Sequence, residues 1–532
     1  MLFSSIHPPE GLPFTANVRC FISWPFIVLE TVLKVLWPFS RVAVLLRALR
    51  PVVAPSTSTS LLRTQHDEAP GIGLVDACSI LWVNERLHGS FNVCIPIYVN
   101  GVKRVMIRFP LPYKVGELAH PGNAAEKLRT EVATYAWIQT NCPDVPITRL
   151  WGFSFPGGST FTELSQAPFL SRLGWYLRGS VAWLLRHPLQ SSYVLHPHHH
   201  CLSAGYILVD YVDNGQMLSA TWQDHHGDDS NRHTLFRDLS CIILSLAQLP
   251  FPRIGSLTMN NQGILSLTNR PPTQQLHQLE NEGIPTHIPR DRTYETADAY
   301  FADVLACNDS RLLHHPNSVL DEPDALAQLP RSPPSALRTV CRGLTSPAHR
   351  HGGPLPLALT DLHPSNIFVS PTWHITALTD LERACALPHE MTQPPWRLSA
   401  ARGIDMVVDD EKTYRERCGE FVDALEEAEE GCAVRLAERM RKDFGGGGET
   451  FWYVHALQSF SGAYHVFVQH LRPLYAVVEG ADEWGVFDRV VAPYWGKIGD
   501  RQGYLDRVRA VFGGKGRGSG EGCGSGEEGR GG

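Results

Sequence analysis

The sequence predicts an α+β fold in which a small β-rich lobe precedes a larger, mainly helical lobe. Strand-forming residues occupy 91–99 and 103–109 on either side of an Asn-Gly turn, which is a strong hairpin signal. A helical pattern fills 123–141, and a second short hairpin lies between 366 and 380. With 532 residues, of which 43% are hydrophobic and 19% charged, the chain is long enough to bury two or three cores.

Shifts in composition divide the chain into four parts. The parts are an N-terminal extension over 1–70, the β-rich lobe over 75–215 with an insertion at about 160–200, the helical lobe over 216–510, and a Gly-rich tail over 513–532. We expect the tail to be disordered, because a segment so rich in glycine cannot bury a core.

The extension contains an apolar run over 20–46 that prolines and charged residues interrupt. The run therefore does not predict a membrane span. One interpretation is a helix that docks on the main domain or belongs to a partly disordered extension. The other is weak contact with a membrane surface through residues 20–46.

Charge and cysteine usage limit the possible partners. A net charge of −7 and a pI near 6.4 provide no basic field for phosphates, so we do not expect a nucleic-acid partner. The twelve cysteines form no CxxC pair, which indicates neither a zinc ribbon nor a disulfide framework. A reduced, cytoplasmic setting is the plain expectation, and the sequence does not predict the oligomeric state.

Alternation along the first hairpin separates one charged side chain from the apolar ones. Val105, Ile107 and Phe109 share a face, so Arg108 lies on the other. Glu131 borders the apolar stripe of the 123–141 helix, where a carboxylate is costly unless a cation meets it. Arg108 is the nearest candidate cation in the chain. The alternative places both residues on separate solvated faces.

A turn at 88–92, "HGSFN", precedes the strand that carries Arg108. The order of glycine turn, strand cation and helix acid is typical of a β-rich lobe that holds nucleotide phosphates. The turn residues Gly89, Ser90, Phe91 and Asn92 would then cover those phosphates.

The second hairpin brings three polar residues near one another. Asp361 begins the loop that leads into it, and Asn366 and Asp380 lie at its two ends. Two carboxylates and an amide oxygen are ligands that Mg²⁺ prefers. Each residue alone is more often a cap or a turn residue, but the joint spacing favours a metal and nucleotide site.

These motifs resemble a known family. "LTDLHPSNIFV" followed by "LTDLE" is similar to the catalytic and metal-binding segments of the aminoglycoside phosphotransferase and choline kinase group, which has a two-lobed protein-kinase-like fold. "GSFNVCIPI", "EVATYAWIQTNCPDVPITRLWGFSF" and "DLERACALPHEMTQPPW" resemble fungal proteins that carry this domain. The resemblance spans about 81–499.

The resemblance implies a role for each matching residue. Asp361 would orient or deprotonate an acceptor hydroxyl, and Asn366 and Asp380 would hold Mg²⁺ on the phosphates of ATP. Arg108 would contact phosphate, with Glu131 as its brace. The lobes would be joined at 206–218, where backbone groups of three residues would meet the adenine: Asp210, Tyr211 and Val212.

The expected function is ATP- and Mg²⁺-dependent transfer of the γ-phosphoryl group to a hydroxyl of an unidentified small molecule. The chain departs from the family pattern at Leu359, where a histidine is usual, at Arg108, where a lysine is usual, and in its single Gly89. These departures favour the first alternative, a non-catalytic protein that binds nucleotide or a partner. A second alternative is a scaffold associated with a membrane through its N-terminal helix.

Overall fold

The computed structural model describes residues 78–80, 87–99, 103–156, 159–186, 190–197, 204–314, 337–338, 355–395, 411–445, 448–458 and 466–475. The extension over 1–70 and the tail over 513–532, with the helix and disorder predicted for them, lie outside the described residues. Within the described ranges, no helix combines the length and apolarity needed to cross a membrane.

An antiparallel sheet of eight strands forms the first half of the described fold. The strands are β1 Cys78–Ile80, β2 Leu87–His88, β3 Asn92–Val99, β4 Lys103–Pro110, β5 Leu150–Ser154, β6 Ser159–Glu163, β7 Tyr193–Pro197 and β8 Tyr206–Asp210. Their order in the sheet is β1-β3-β4-β8-β5-β6-β7, with β2 also paired to β3. Their β-branched and aromatic residues suit a pleated, largely buried surface.

The first hairpin is β3 and β4, in a register that places Cys94 opposite Arg108 and Ile97 opposite Val105. The alternating side chains on one face join a core of Ile95, Ile97, Val105, Ile107, Phe109, Tyr206 and Leu208. Arg108 leaves from the other face, as the period of two requires.

Helix α1, Asn123–Asn141, has the bounds that the sequence predicts. Leu128, Val132, Tyr135 and Ile138 are buried in the main core, since residues three and four apart share a helix face. The helix begins after Gly122, whose φ of 100° lies in the left-handed region that favours glycine. This helix places Glu131 against the sheet.

Helix α2, Phe169–Leu184, lies within the insertion, between β6 and β7 in the chain. The second half of the described chain is mainly helical, with short strands. Its helices are α3 Leu218–His225, α4 Asp229–Ala247, α5 Gln274–Asn281, α6 Ala297–His314, α7 Glu411–Ala428, α8 Ala437–Gly445 and α9 Glu449–Gln458. The short strands are β9 Gln216–Met217, β10 Ser256–Met259, β11 Leu265–Asn269, β12 Leu357–Leu359, β13 Ile367–Val369, β14 Ile375–Leu378 and β15 Ala384–Ala386.

Two strand pairs position the candidate site. Strands β13 and β14 form the predicted second hairpin, with Ile367 opposite Leu378. Strand β12 pairs with β15, so the loop before β13 and the segment after β14 lie side by side. A large apolar core connects these strands with helices α1 and α4. The described fold is thus mixed α and β, with an antiparallel sheet and helices.

Candidate functional site

The loop from β12 to β13 is held by its own hydrogen bonds. The backbone N–H of His363 donates to the carbonyl of Asp361 at 2.8 Å, and that of Asn366 donates to the carbonyl of His363 at 2.7 Å. The side-chain Nδ2 of Asn366 donates to the Asp361 carbonyl at 3.1 Å. Asp361 and Asn366, two of the predicted site residues, are therefore in direct contact.

Asp380 follows β14 in a left-handed backbone conformation, with φ of 63°. Aspartate tolerates this region better than most residues. The preceding N–H of Thr379 donates to the carbonyl of Asn366 at 2.9 Å. The hairpin thus closes at its ends and brings Asp380 beside the loop that carries Asp361 and Asn366.

Arg108 joins the sheet, helix α1 and the second hairpin. Its Nη1 lies 2.8 Å from Glu131 Oε1, and its Nη2 lies 2.8 Å from Asp380 Oδ1. The Arg108 and Glu131 side chains are 7% and 2% exposed, so these charges interact outside bulk water. Burial opposes the charge, yet Asp380 and Glu131 raise the pKa of Arg108 well above its usual value.

A second buried charge network lies next to this one, and the sequence patterns did not predict it. Lys127 Nζ forms an ion pair with Glu382 Oε2, and each side chain is 1% exposed. Lys127 also donates to Asn92 Oδ1 at 2.6 Å, and Asn92 Nδ2 donates to Glu382 Oε2 at 2.9 Å. The sequence did contain a signal for Lys127. This residue precedes Glu131 by four positions, about one helical turn, so the two share a face of helix α1.

The three carboxylates of the site have pKa values that are shifted in different directions. Burial raises the pKa of Asp380 to about 7, because the attraction of Arg108 offsets only part of that cost and Glu382 adds repulsion. Burial acts on Glu382 as well, but Lys127 and Arg383 hold the pKa of that carboxyl well below its usual range. Burial also raises the pKa of Glu131, against the opposing effect of Arg108.

Arg383 is a buried cation that the sequence analysis did not assign to the site. Its guanidinium lies 4.2 Å from the ring centre of Phe91, 4.0 Å from Asp361 Oδ2 and 3.5 Å from Glu382 Oε1. Within the described part of the chain, none of its three side-chain nitrogens has a hydrogen-bond partner. Such donors are costly to bury unless a further acceptor completes them.

Three carboxylates come close enough to share a cation. Glu131, Asp380 and Glu382 each offer an oxygen, and these oxygens lie within 4.8 Å of one another. Of the two predicted metal ligands, Asn366 and Asp380, only Asp380 belongs to this group of three carboxylates. Carboxylate oxygens suit Mg²⁺, so the donor chemistry fits that ion, although Arg108 and Lys127 already neutralise much of the charge.

The turn expected to cover phosphates is attached to the protein through its last residue, Asn92. The N–H of Gly89 donates to the carbonyl of Asn92 at 2.9 Å and is thus used within the turn. Gly89 and Ser90 are exposed, while Asn92 is buried by its contacts with Lys127 and Glu382. In this structure Asn92 ties the turn to the buried network.

The expected hinge residues lie at the end of β8, of which Asp210 is the last residue. Asp210 accepts a hydrogen bond from Trp151 Nε1 at 2.7 Å and pairs with Lys103 Nζ at 3.0 Å. The ring of Tyr211 lies 4.2 Å from the Arg104 guanidinium, and Val212 is half-buried. These contacts involve the side chain of Asp210, so the expected contact of the backbone at 210–212 with adenine stays a prediction.

Two cavities border the loop between β12 and β13. One, of about 10 Å³, is lined by Asp361, Asp380 and Arg383 and holds at most one water molecule. The other, of about 120 Å³, is lined by residues of α4, α9, the loop itself and the segment after β15. Its lining is mostly apolar, and His455 is the ionisable residue among its described lining residues.

No family model and no curated protein matches the chain. Solved structures with similarity to it include an ethanolamine kinase of Plasmodium vivax, at 8% identity over 79% of this chain and 84% of that chain, with a TM-score of 0.34. A type I macrolide 2'-phosphotransferase is 11% identical over 76% and 93%, with a TM-score of 0.30. The apoenzyme of a macrolide 2'-phosphotransferase of Brachybacterium faecium is 10% identical over 72% and 88%, with a TM-score of 0.28. Likenesses of this size do not assign the chain to a family.

Proposed function

We propose that the chain is an ATP- and Mg²⁺-dependent phosphotransferase that moves the γ-phosphoryl group to a hydroxyl of a small molecule. The observation that carries this proposal is the position of Arg108, which lies 2.8 Å from both Glu131 and Asp380. One guanidinium thus joins the helix acid to the expected metal ligand, next to the loop of Asp361. The proposal includes a two-lobed arrangement, with lobes over 75–215 and 216–510.

Each nearby side chain has a role in this proposal. Arg108 and Arg383 bind phosphate oxygens. The side-chain nitrogens of Arg383 have no hydrogen-bond partner among the described residues, which supports that assignment. Asp380 and Asn366 hold the metal ion, which when bound neutralises charge on the phosphates. Asp361 orients the acceptor hydroxyl and accepts its proton. Positioning and charge neutralisation are the main requirements of phosphoryl transfer.

The 120 Å³ cavity beside the loop is where we place the body of the acceptor. Among its described lining residues, burial lowers the pKa of His455 to about 3, so that side chain is neutral near pH 7. Thr392 and Gln393 also line the cavity, and their buried Oγ1 and Oε1 atoms have no hydrogen-bond partner within the described ranges. Such a lining favours an uncharged, largely apolar acceptor over a cationic one.

A thermal-shift titration with Mg-ATP tests the nucleotide site. A ligand at 100 times its Kd adds about 2.7 kcal/mol of stability, and Asp380→Ala should abolish that gain. Asp224→Ala, at an exposed acid on helix α3, is the matched control and should retain it. A wild-type chain that Mg-ATP does not stabilise contradicts the proposed site.

Turnover is tested separately by ADP release across a set of hydroxylated compounds. Asp361→Asn should remove turnover and retain stabilisation by Mg-ATP, because it removes the proton acceptor and leaves the phosphate contacts. ADP release by Asp361→Asn at the wild-type rate would refute the role of this residue.

The second candidate function is nucleotide or partner binding without turnover. The observation that favours it is the 10 Å³ cavity between Asp361 and Asp380, which is too small to hold a phosphoryl group and an acceptor hydroxyl together while Phe91 covers Arg383. Phe91→Ala removes this cover. Stabilisation by Mg-ATP in wild type and Phe91→Ala, with no ADP release from either across the compound set, would favour this second function.

A further inference from the structure

Helix α2, Phe169–Leu184, exposes a continuous apolar stripe on the side that faces away from the protein. At 3.6 residues per turn, its members fall within a sector of about 80°. Their exposed fractions are 78%, 45%, 59%, 55% and 73% for Leu170, Leu173, Leu177, Val181 and Leu184. We call these five residues the apolar stripe.

The opposite side of helix α2 is attached to the protein. Trp175 is half-buried, and its Nε1 donates to the carbonyl of Ser191 at 3.0 Å. In the chain, the helix connects β6 to β7. These two strands pair with each other at one edge of the main sheet. The side of helix α2 opposite the apolar stripe is therefore attached to the sheet region, and the stripe faces outward. A contiguous exposed apolar patch of this kind marks a docking surface in many proteins.

The charged residues on and near helix α2 favour a partner with negative charge. The segment from 164 to 209 contains no aspartate and no glutamate, whereas arginines occur at 172, 178 and 186. Arg178 on the helix and Arg186, two residues after its end, are exposed, and Trp183 is 65% exposed. Leucine, tryptophan and arginine on one helix are the composition of helices that lie in the interface of a membrane. Arginine near an anionic surface contributes about 1 kcal/mol of attraction.

We infer that helix α2 docks the protein on a membrane that contains anionic lipids. The apolar stripe enters the boundary of the acyl chains, and the arginines remain at the level of the headgroup phosphates. The helix has 16 residues, fewer than the roughly 20 that span a bilayer, so it lies on the membrane. This inference does not rest on the proposed phosphotransfer.

Two other occupants fit the charges less well. A second copy of helix α2 would bring arginines against arginines, which is unfavourable. The apolar run of this chain over 20–46 carries Lys34 and Arg41 against a single acid, Glu30. It therefore offers no surplus of negative charge to the arginines of helix α2.

The test is flotation of the full chain with vesicles of phosphatidylcholine alone and with added phosphatidylserine. Wild type should float with the anionic vesicles, less so in high salt, because salt screens surface charges. Leu173→Gln with Leu177→Gln should lower the partition constant about 100-fold, since two leucines no longer enter the apolar boundary. Arg178→Gln with Arg186→Gln should lower it about 30-fold.

Leu118→Gln is the matched control, because Leu118 is 97% exposed and lies outside the insertion. It should float like wild type, and all variants should unfold at the wild-type temperature because the changed side chains are at the surface. Three results overturn the inference: wild type that does not float, floating that the double leucine variant retains, and a wild-type dimer in solution that this variant separates.

Discussion

Replacing Asp380 by asparagine should stabilise the ligand-free protein, and by more at high pH than at low pH. The folded protein raises the pKa of this carboxyl from its ordinary 3.8 to about 7, mainly through burial. A carboxyl with a raised pKa contributes no penalty below pH 3.8 and costs stability as the pH rises through 7. Asparagine keeps the neutral shape and avoids that cost.

The magnitude follows from the pKa values. A change from 3.8 to about 7 corresponds to about 4 kcal/mol once the carboxyl is ionised. The Asp380 side chain is 24% exposed, so water screens part of this cost. We expect the advantage of Asp380→Asn over wild type to widen by about 2 kcal/mol between pH 5 and pH 8.

Urea unfolding of both proteins at several pH values, in EDTA without nucleotide, measures this advantage. Glu382→Gln is the control with the opposite sign, because Lys127 and Arg383 hold the pKa of Glu382 below its usual range despite its burial. The stability that Glu382 provides is present at neutral pH and lost as the pH falls through its folded pKa. An Asp380→Asn advantage that is constant or shrinks with pH would show that this carboxylate is not buried as described.

Two further substitutions test the buried contacts. Lys127→Met should lower the free energy of unfolding by about 3 to 5 kcal/mol, because Glu382 then loses its main cation. Adding Glu382→Gln should recover part of that loss, and urea unfolding that shows no recovery would contradict the pairing. Gly152→Ala should lower the free energy of unfolding by about 1 kcal/mol or more, because the added Cβ would lie 2.7 Å from the carbonyl oxygen of Phe161. An unchanged melting temperature would rule out that close approach.

Local patterns predicted the elements well because each depends on neighbouring residues. The bounds of helix α1 and of the hairpin strands follow from periods of 3.6 and 2 and from the Asn-Gly turn. One local expectation stays a prediction: the turn at Gly89 to Asn92 is expected to cover phosphates, and in the structure its Asn92 side chain is bound inside the protein. Alternation along a strand gives a side chain its face but not its partner.

The sequence by itself determined which residues are available: Asp361, Asn366 and Asp380 around one hairpin, Arg108 on a strand, and Glu131 on a helix. The tertiary structure alone decided that Glu382 and Arg383 belong with them, and that Lys127 neutralises Glu382 instead of facing water. The physical reason is distance along the chain, since Asn92 and Glu382 are separated by 290 positions and yet share a hydrogen bond. No local period records such a contact, and only the packing of the sheet, helix α1 and the second hairpin produces it.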